Sequence, residues 1–143
     1  MRVWPIIRNV PFIGILAVIY LIVAASDRAT IDAGLFEMGL PSGAVWQFSV
    51  HHLFMVLGLI LLYVEIAKAT RTTRVAIGDH ALSLAVFIIC MILFLLVEIA
   101  GTSTFLLITL LELVDVVAGF TVTIAGARRD LGYDPMGIHH PPP

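Results

Sequence analysis

Charge is the scarcest commodity in this chain. Asp, Glu, Lys and Arg make up 13% of its 143 residues, against 60% hydrophobic residues. About a quarter of an ordinary soluble domain is charged, so this composition excludes a conventional water-soluble fold. The net charge is −2, with no basic excess, which gives no reason to expect a nucleic acid or an anionic partner. Cysteine is almost absent: the single Cys90 lies inside an apolar block, which excludes a disulfide framework. There is no Gly-rich phosphate loop, no nucleophile elbow and no paired-cysteine motif. Enzymatic activity is therefore not expected, no catalytic residue is assigned and no cofactor is predicted.

What the chain does have is four long apolar blocks. Crossing the hydrocarbon of a bilayer takes about 20 residues of helix, roughly 17 to 25. The blocks run from about Asn9 to Ala25, Val45 to Ala67, His80 to Ala100 and Thr104 to Gly126. Asn9 is a plausible N-cap with Pro11 tolerated in the first turn, and Asp79 is a good N-cap for the third block. Gly101 can end the third. The third and fourth are joined by only a few residues and so form a tight antiparallel hairpin. Val23-Ala24-Ala25 resembles a signal-peptide cleavage site, yet the segment reads as a retained first helix.

Lys and Arg accumulate on the cytoplasmic side of a membrane. Arg2 and Arg8 precede the first block, Lys68, Arg71 and Arg74 follow the second, and Arg128 and Arg129 follow the fourth. All seven fall on one side if the N-terminus is cytoplasmic, and only Arg28 falls on the other. The expected fold is thus an all-α membrane protein. It is a four-transmembrane-helix bundle over residues 1–129, with N-terminus and C-terminus cytoplasmic, in the bilayer of a bacterial inner membrane. Residues 130–143 form a polar, Pro-rich cytoplasmic tail, in which His139 and His140 read as part of an extended end rather than a metal site. The exterior loop, about Ser26 to Gly43, mixes Ile31, Leu35, Phe36 and Met38 with Asp32 and Glu37. A short interfacial helix is expected there, ended by the Pro41-Ser42-Gly43 turn, with Trp46 at the interface belt.

Four acids lie within the apolar blocks: Glu65, Glu98, Glu112 and Asp115. Each costs about 2.5–3.5 kcal/mol at mid-span unless paired, protonated or near an edge. They are the chief functional clue. At 100° per residue, His51, Gly58 and Glu65 share one stripe of the second helix. His80, Phe87, Met91, Phe94 and Glu98 share one stripe of the third. Because these helices run antiparallel, facing stripes would bring His51 to Glu98 at one surface and His80 to Glu65 at the other. On the fourth helix, Thr109, Glu112, Asp115, Gly119, Thr123 and Gly126 lie along one side, where small and hydroxyl residues permit close helix contact. Glu112 and Asp115 are one turn apart, and two carboxylates at that depth cannot both remain charged cheaply. His51 and His80 sit at opposite ends of their helices, so they do not share a haem iron, and His51 with Glu98 gives only two ligands where zinc needs three or four.

From about Leu57 to Ile124 the order of features resembles the phosphate-starvation-inducible protein E family of small four-span bacterial membrane proteins. The resemblance is carried by Leu61-Leu62-Tyr63-Val64-Glu65 closing the second block, the polar Lys68-to-Asp79 connector and the last two blocks. It implies topology only. Two functions follow from the residues. The first is a small helical subunit that forms a homo-oligomer or joins a larger membrane complex through the Thr/Gly/acid stripe. The alternative is a proton- or cation-linked channel or transporter using Glu112 and Asp115.

Overall fold

The structure is a computed structural model that describes residues 11–69 and 76–132. It is mostly helical. Helix α1 spans Phe12–Ser26 and is followed by the single turn α2, Ala29–Asp32. Strands β1, Gly34–Gly39, and β2, Val45–Ser49, form an antiparallel hairpin. Helices α3, Val50–Ala69, α4, Ala76–Leu96, and α5, Ser103–Gly132, follow, with a 3-10 turn at Glu98–Ala100 between the last two. Among the described residues, two helices are long and apolar enough to cross a membrane: Val50–Ala69, with mean hydropathy 2.0, and Ser103–Gly126 within α5, with mean hydropathy 2.2. The apolar stretches Phe12–Ser26 and His80–Leu96 are shorter.

The four long helices alternate in direction. Phe12 at the start of α1 meets Glu65 near the end of α3, and Tyr20 meets Phe54 near the start of α3. The molecule therefore has a hairpin end and a far end. Helix α5 packs on α4, α3 and α1 and forms the centre of the bundle. Near the hairpin end, Tyr20 packs edge-on against Phe54 at 5.3 Å and against Phe105 at 5.7 Å between ring centroids. Such aromatic pairs contribute about 0.5–1.5 kcal/mol each beyond the area they bury. The Tyr20 hydroxyl reaches the Thr102 hydroxyl at 2.6 Å, so the one polar atom of this layer is satisfied. In mid-bundle, Gly58 lets α3 approach α5: a Cβ there would stand 2.5 Å from Leu111 Cδ1.

The segment between the first two apolar blocks departs from the expected interfacial helix. It forms a one-turn helix and a β-hairpin, and β2 takes Val45–Ser49, where a helix start was expected. The local sequence explains this. A helix over residues 26–43 would contain Gly34 and Gly39, each costing about 1 kcal/mol relative to Ala. Phe36 and Met38 alternate with Leu35 and Glu37, and Trp46 and Phe48 alternate with Val45 and Gln47, which is a strand period. Register places Phe36 opposite Phe48 and Met38 opposite Trp46. The two phenyl rings stack at 4.9 Å, and Phe48 stacks in turn on His52 at 5.6 Å. The turn is closed by Gly43 N–H donating to Leu40 O at 2.9 Å and Leu40 N–H to Ala44 O at 2.8 Å. Pro41 and Ser42 occupy its centre, and Gly43 follows in the left-handed region with φ 86°, the usual three-residue hairpin arrangement.

The third apolar block also differs from its expected bounds. Helix α4 stops at Leu96, where Val97 turns to extended backbone, and Glu98 lies in the separate 3-10 turn. Helix α5 then starts from Thr102, whose hydroxyl accepts the Phe105 N–H at 3.2 Å. Helix α3 starts from Ser49, whose N–H donates to His52 Nδ1 at 3.2 Å, a capping box with histidine in the usual glutamate place. The expected Asn9 cap and the tail beyond Gly132, including His139 and His140, lie outside the described residues.

Because Gly43 alone among the described residues occupies the left-handed region, Gly43→Val is expected to destabilise the hairpin by about 1–2 kcal/mol, with Gly43→Asn costing less. Thermal unfolding of the purified protein checks the order glycine, asparagine, valine.

Candidate functional site

The far half of the bundle holds a cluster of buried polar side chains. Thr109 and Glu112 are fully buried and Asp115 is 4% exposed. They sit three residues apart on α5, so each lies about one turn below the last along one face. Gly119 continues that face and is buried too. These four residues are thus turned toward α1, α3 and α4.

Each acid has a different environment. Glu65 lies at the end of α3, where its carboxylate accepts hydrogen bonds from the backbone N–H groups of Phe12 and Ile13. The first N–H groups of a helix have no partner within it. Pro11, in the N-cap position of α1, offers no side-chain cap. Glu65 supplies that cap from another helix and places an acceptor oxygen at the positive end of the α1 dipole. Asp115 accepts a hydrogen bond from the Ser83 hydroxyl of α4 and lies within electrostatic reach of His80 and Lys68. The Lys68 ammonium stands over the Phe12 ring, 4.8 Å from its centroid, a cation–π contact at the same end of α1.

Glu112 has none of this support. Neither of its carboxyl oxygens has a hydrogen-bond partner among the described residues. Its electrostatic neighbours are the like-charged Glu65 and Asp115, and Cys90 lies close by. Gly14 of α1 passes directly over it: a Cβ at that position would stand 3.3 Å from Glu112 Oε1 and 2.9 Å from Val86 Cγ1. On the far side of Gly14 and Val86 is an apolar groove of about 470 Å³ between α1 and α4, which Cys90 also lines.

His80 is buried against Gly119. Any Cβ on Gly119 would overlap Cε1 and Nδ1 of the imidazole, so only glycine leaves room for the ring. The ring also meets Phe120 at 5.8 Å, and its Nε2 has no hydrogen-bond partner among the described residues.

Neither expected His–Glu pair forms. His80 and Glu65 both flank Asp115, but no hydrogen bond or ion pair joins them among the described residues. The reason is that α5 packs against both α3 and α4, which make few contacts with each other. His51 and Glu98 are likewise not paired. The His51 ring lies on that of His52 at 3.8 Å, and its Nδ1 is 2.7 Å from Ser49 Oγ. The Glu98 side chain is 92% exposed and pairs with Arg28 at 3.4 Å. Glu98 escapes the expected stripe because α4 ends two residues before it. Of the remaining expected positions, Thr123 is half-buried and donates to Gly119 O at 2.9 Å, and Gly58 is buried between α3 and α5. Gly126 is half-buried farther down α5.

No protein-family model matches the chain, and neither a curated protein nor a solved structure matches it significantly. The chemistry of the cluster must therefore be read from its geometry. Among the described residues, no three His, Cys, Asp or Glu side chains converge in a way that could hold a metal ion. Three carboxyls, a hydroxyl and an imidazole in one low-dielectric space are instead suited to binding and exchanging protons.

Two residues of the site went unread in the sequence. Ser83 lies three positions beyond His80, and this helical spacing was the available signal. Gly14 gives no such signal, since only the crossing of α1 over Glu112 makes its missing side chain matter.

Removing the trans cap is expected to cost stability. Glu65→Ala leaves two first-turn N–H groups without their acceptor and should cost about 0.5–2 kcal/mol, while Glu65→Gln keeps an acceptor oxygen and costs less. Gly119→Ala should cost about 1–3 kcal/mol by displacing the His80 ring. Adding His80→Ala should recover part of that loss. Thermal unfolding of the single and double variants in detergent checks all four.

Proposed function

We propose that this protein is a proton-linked membrane transporter or channel, a four-span bundle with both chain ends on the cytoplasmic side. The observation that carries the reading is the Glu112 carboxyl, fully buried and without a hydrogen-bond partner among the described residues. An isolated carboxylate in such a place costs several kcal/mol, and a neutral acid far less. A group of this kind, with two other carboxyls nearby, is suited to holding a proton that it can release when its surroundings change.

The neighbours support a route. Asp115, Ser83 and His80 lie toward the far end, where Lys68 and Glu65 also sit. Toward the hairpin end, Thr109 follows Glu112 on the same face, and its hydroxyl is committed to Phe105 O at 2.9 Å. Beyond it the Tyr20, Phe54 and Phe105 rings close the interior. The proposed proton site therefore opens from the cytoplasmic end, and the aromatic layer is the barrier that a conducting movement must open.

The four-span topology rests on the alternation of the long helices, on two of them being long enough to cross alone, and on the seven-to-one distribution of Lys and Arg. The resemblance to the phosphate-starvation-inducible protein E family offers the same topology and no activity. Assembly with a second copy or a larger complex would use the outward apolar faces of α3 and α4, because Thr109, Glu112, Asp115 and Gly119 are turned into the bundle.

Two measurements test the proposal. In liposomes carrying an internal pH indicator, proton flux should exceed that of empty vesicles and fall to their level with Glu112→Gln and sharply with Asp115→Asn. Flux equal to that of empty vesicles, or indifferent to both substitutions, would sink it. For topology, a cysteine at Ser42 in a Cys90→Ser background should react with an impermeant thiol reagent outside intact cells. A cysteine at Thr72 should react only after permeabilisation, and equal labelling of the two would refute the four-span arrangement.

A further inference from the structure

The hairpin end carries a second polar site, separate from the acid cluster. It is a pocket of about 300 Å³ whose lining includes Tyr20, Arg28, Asp32, His51, Ser103 and Thr104. The floor is Tyr20, fully buried, whose hydroxyl is engaged with Thr102. One wall is the first turn of α5. There the Phe105 N–H is taken by Thr102 Oγ1, while the N–H groups of Ser103 and Thr104 precede the first helical acceptor and have no backbone partner among the described residues.

Thr104 is the decisive residue. Thr109, Thr121 and Thr123 of the same helix each donate their hydroxyl to the carbonyl four residues back. Thr104 does not. The residue four back is Ala100, in the 3-10 turn, and its carbonyl already accepts the Thr102 N–H at 2.8 Å. The Thr104 side chain lines the pocket, the residue is 8% exposed, and no hydrogen bond engages its hydroxyl among the described residues. A hydroxyl left unused on a residue only 8% exposed, beside two unused N–H groups of the same helix start, puts several donors on one wall of the pocket.

One charged group, Arg28, adds to the same sign. Arg28 borders the pocket; its guanidinium donates to Glu98 Oε1 at 3.4 Å and to the Glu98 carbonyl at 2.5 Å, which leaves the other N–H groups of its five-donor fork for a ligand. His51 borders it from the start of α3. Against them stands one carboxylate of the lining, the exposed Asp32 at the end of the one-turn helix α2.

We infer that this pocket binds a small singly charged oxyanion, held by the Ser103 and Thr104 amides, the Thr104 hydroxyl and Arg28. Asp32 opposes a second negative charge. The chemistry is that of a free carboxylate or hydrogen-bonding oxyanion, or of the phosphodiester of a lipid headgroup reaching the end of the bundle. The inference is independent of proton transport, since no residue of the acid cluster takes part.

The test uses the full chain purified in neutral maltoside detergent. In one arm, sodium acetate is titrated against sodium chloride at matched ionic strength, with thermal stability as the readout. In the other, retention of phosphatidylglycerol is measured by native mass spectrometry. Saturable binding of either is expected, weakened at least about tenfold in Arg28→Gln and in Thr104→Val and strengthened in Asp32→Asn. Arg28→Gln alters an exposed side chain and keeps the test valid if Thr104→Val disturbs the helix start. Binding in the acetate arm identifies a free anion as the ligand, and binding in the lipid arm alone identifies the headgroup. No binding in either arm, or binding that ignores all three substitutions, overturns the inference.

Discussion

The arrangement of the bundle depends on one contact, the Glu65 carboxylate on the first backbone amides of α1. Helix α1 has no cap of its own, since Pro11 gives it neither a side-chain acceptor nor an N–H to spare. In an apolar interior, unpaired amides and an unpaired carboxylate are each costly. Joining them satisfies the amides and one carboxyl oxygen, leaves Glu65 Oε2 without a partner among the described residues, and fixes the height of α1 against α3. With a rise of 1.5 Å per residue, that height sets everything farther along α1. Gly14 falls over Glu112, and Tyr20, about 12 Å above Phe12, falls between Phe54 and Phe105.

From this follows a bundle with unequal halves. The far half concentrates Glu65, His80, Ser83, Glu112 and Asp115, while the half nearer the hairpin is closed by aromatic rings. Glu112 and Phe105 are seven residues apart on α5, about 10 Å along its axis. Within that distance the interior changes from carboxyls to aromatic carbon, with Thr109 spending its hydroxyl on its own helix. Two glycines make the polar half possible by omission. Gly14 lets α1 cross the Glu112 carboxyl, and Gly119 gives the His80 ring a place beside α5. A methyl group at either would push apart helices whose closeness keeps the cluster shielded.

Helix α5 therefore presents one continuous face with two kinds of chemistry. Its first turn offers unused donors at Ser103 and Thr104, and its middle carries unused acceptors at Glu112. Its dipole is positive at the end where the donors are. The aromatic layer lies between, so the two regions do not exchange polar contacts. The hairpin stacks Phe36, Phe48 and His52 above this end, and its own charge is limited to Glu37 between Gly34 and Ser49.

Much of this was legible from the residues alone. Apolar blocks of span length marked the long helices, and helical spacing placed Thr109, Glu112, Asp115 and Gly119 on one face. These are local properties, set by composition and by 100° per residue. The hairpin was misread because Trp46 and Phe48 satisfy both an apolar block and a strand alternation, and only pairing with Phe36 and Met38 selects the strand. The His–Glu pairs failed for a different reason. A stripe tells which residues share a face but not which helix that face meets, and α5 takes the place that the pairing required. The sequence by itself determined that acids would be buried in an apolar bundle and that two of them would be adjacent. Only the tertiary structure decided that Glu65 caps α1, that Asp115 meets Ser83 and that Glu112 is left without a partner, because each outcome depends on the neighbour that packing supplies.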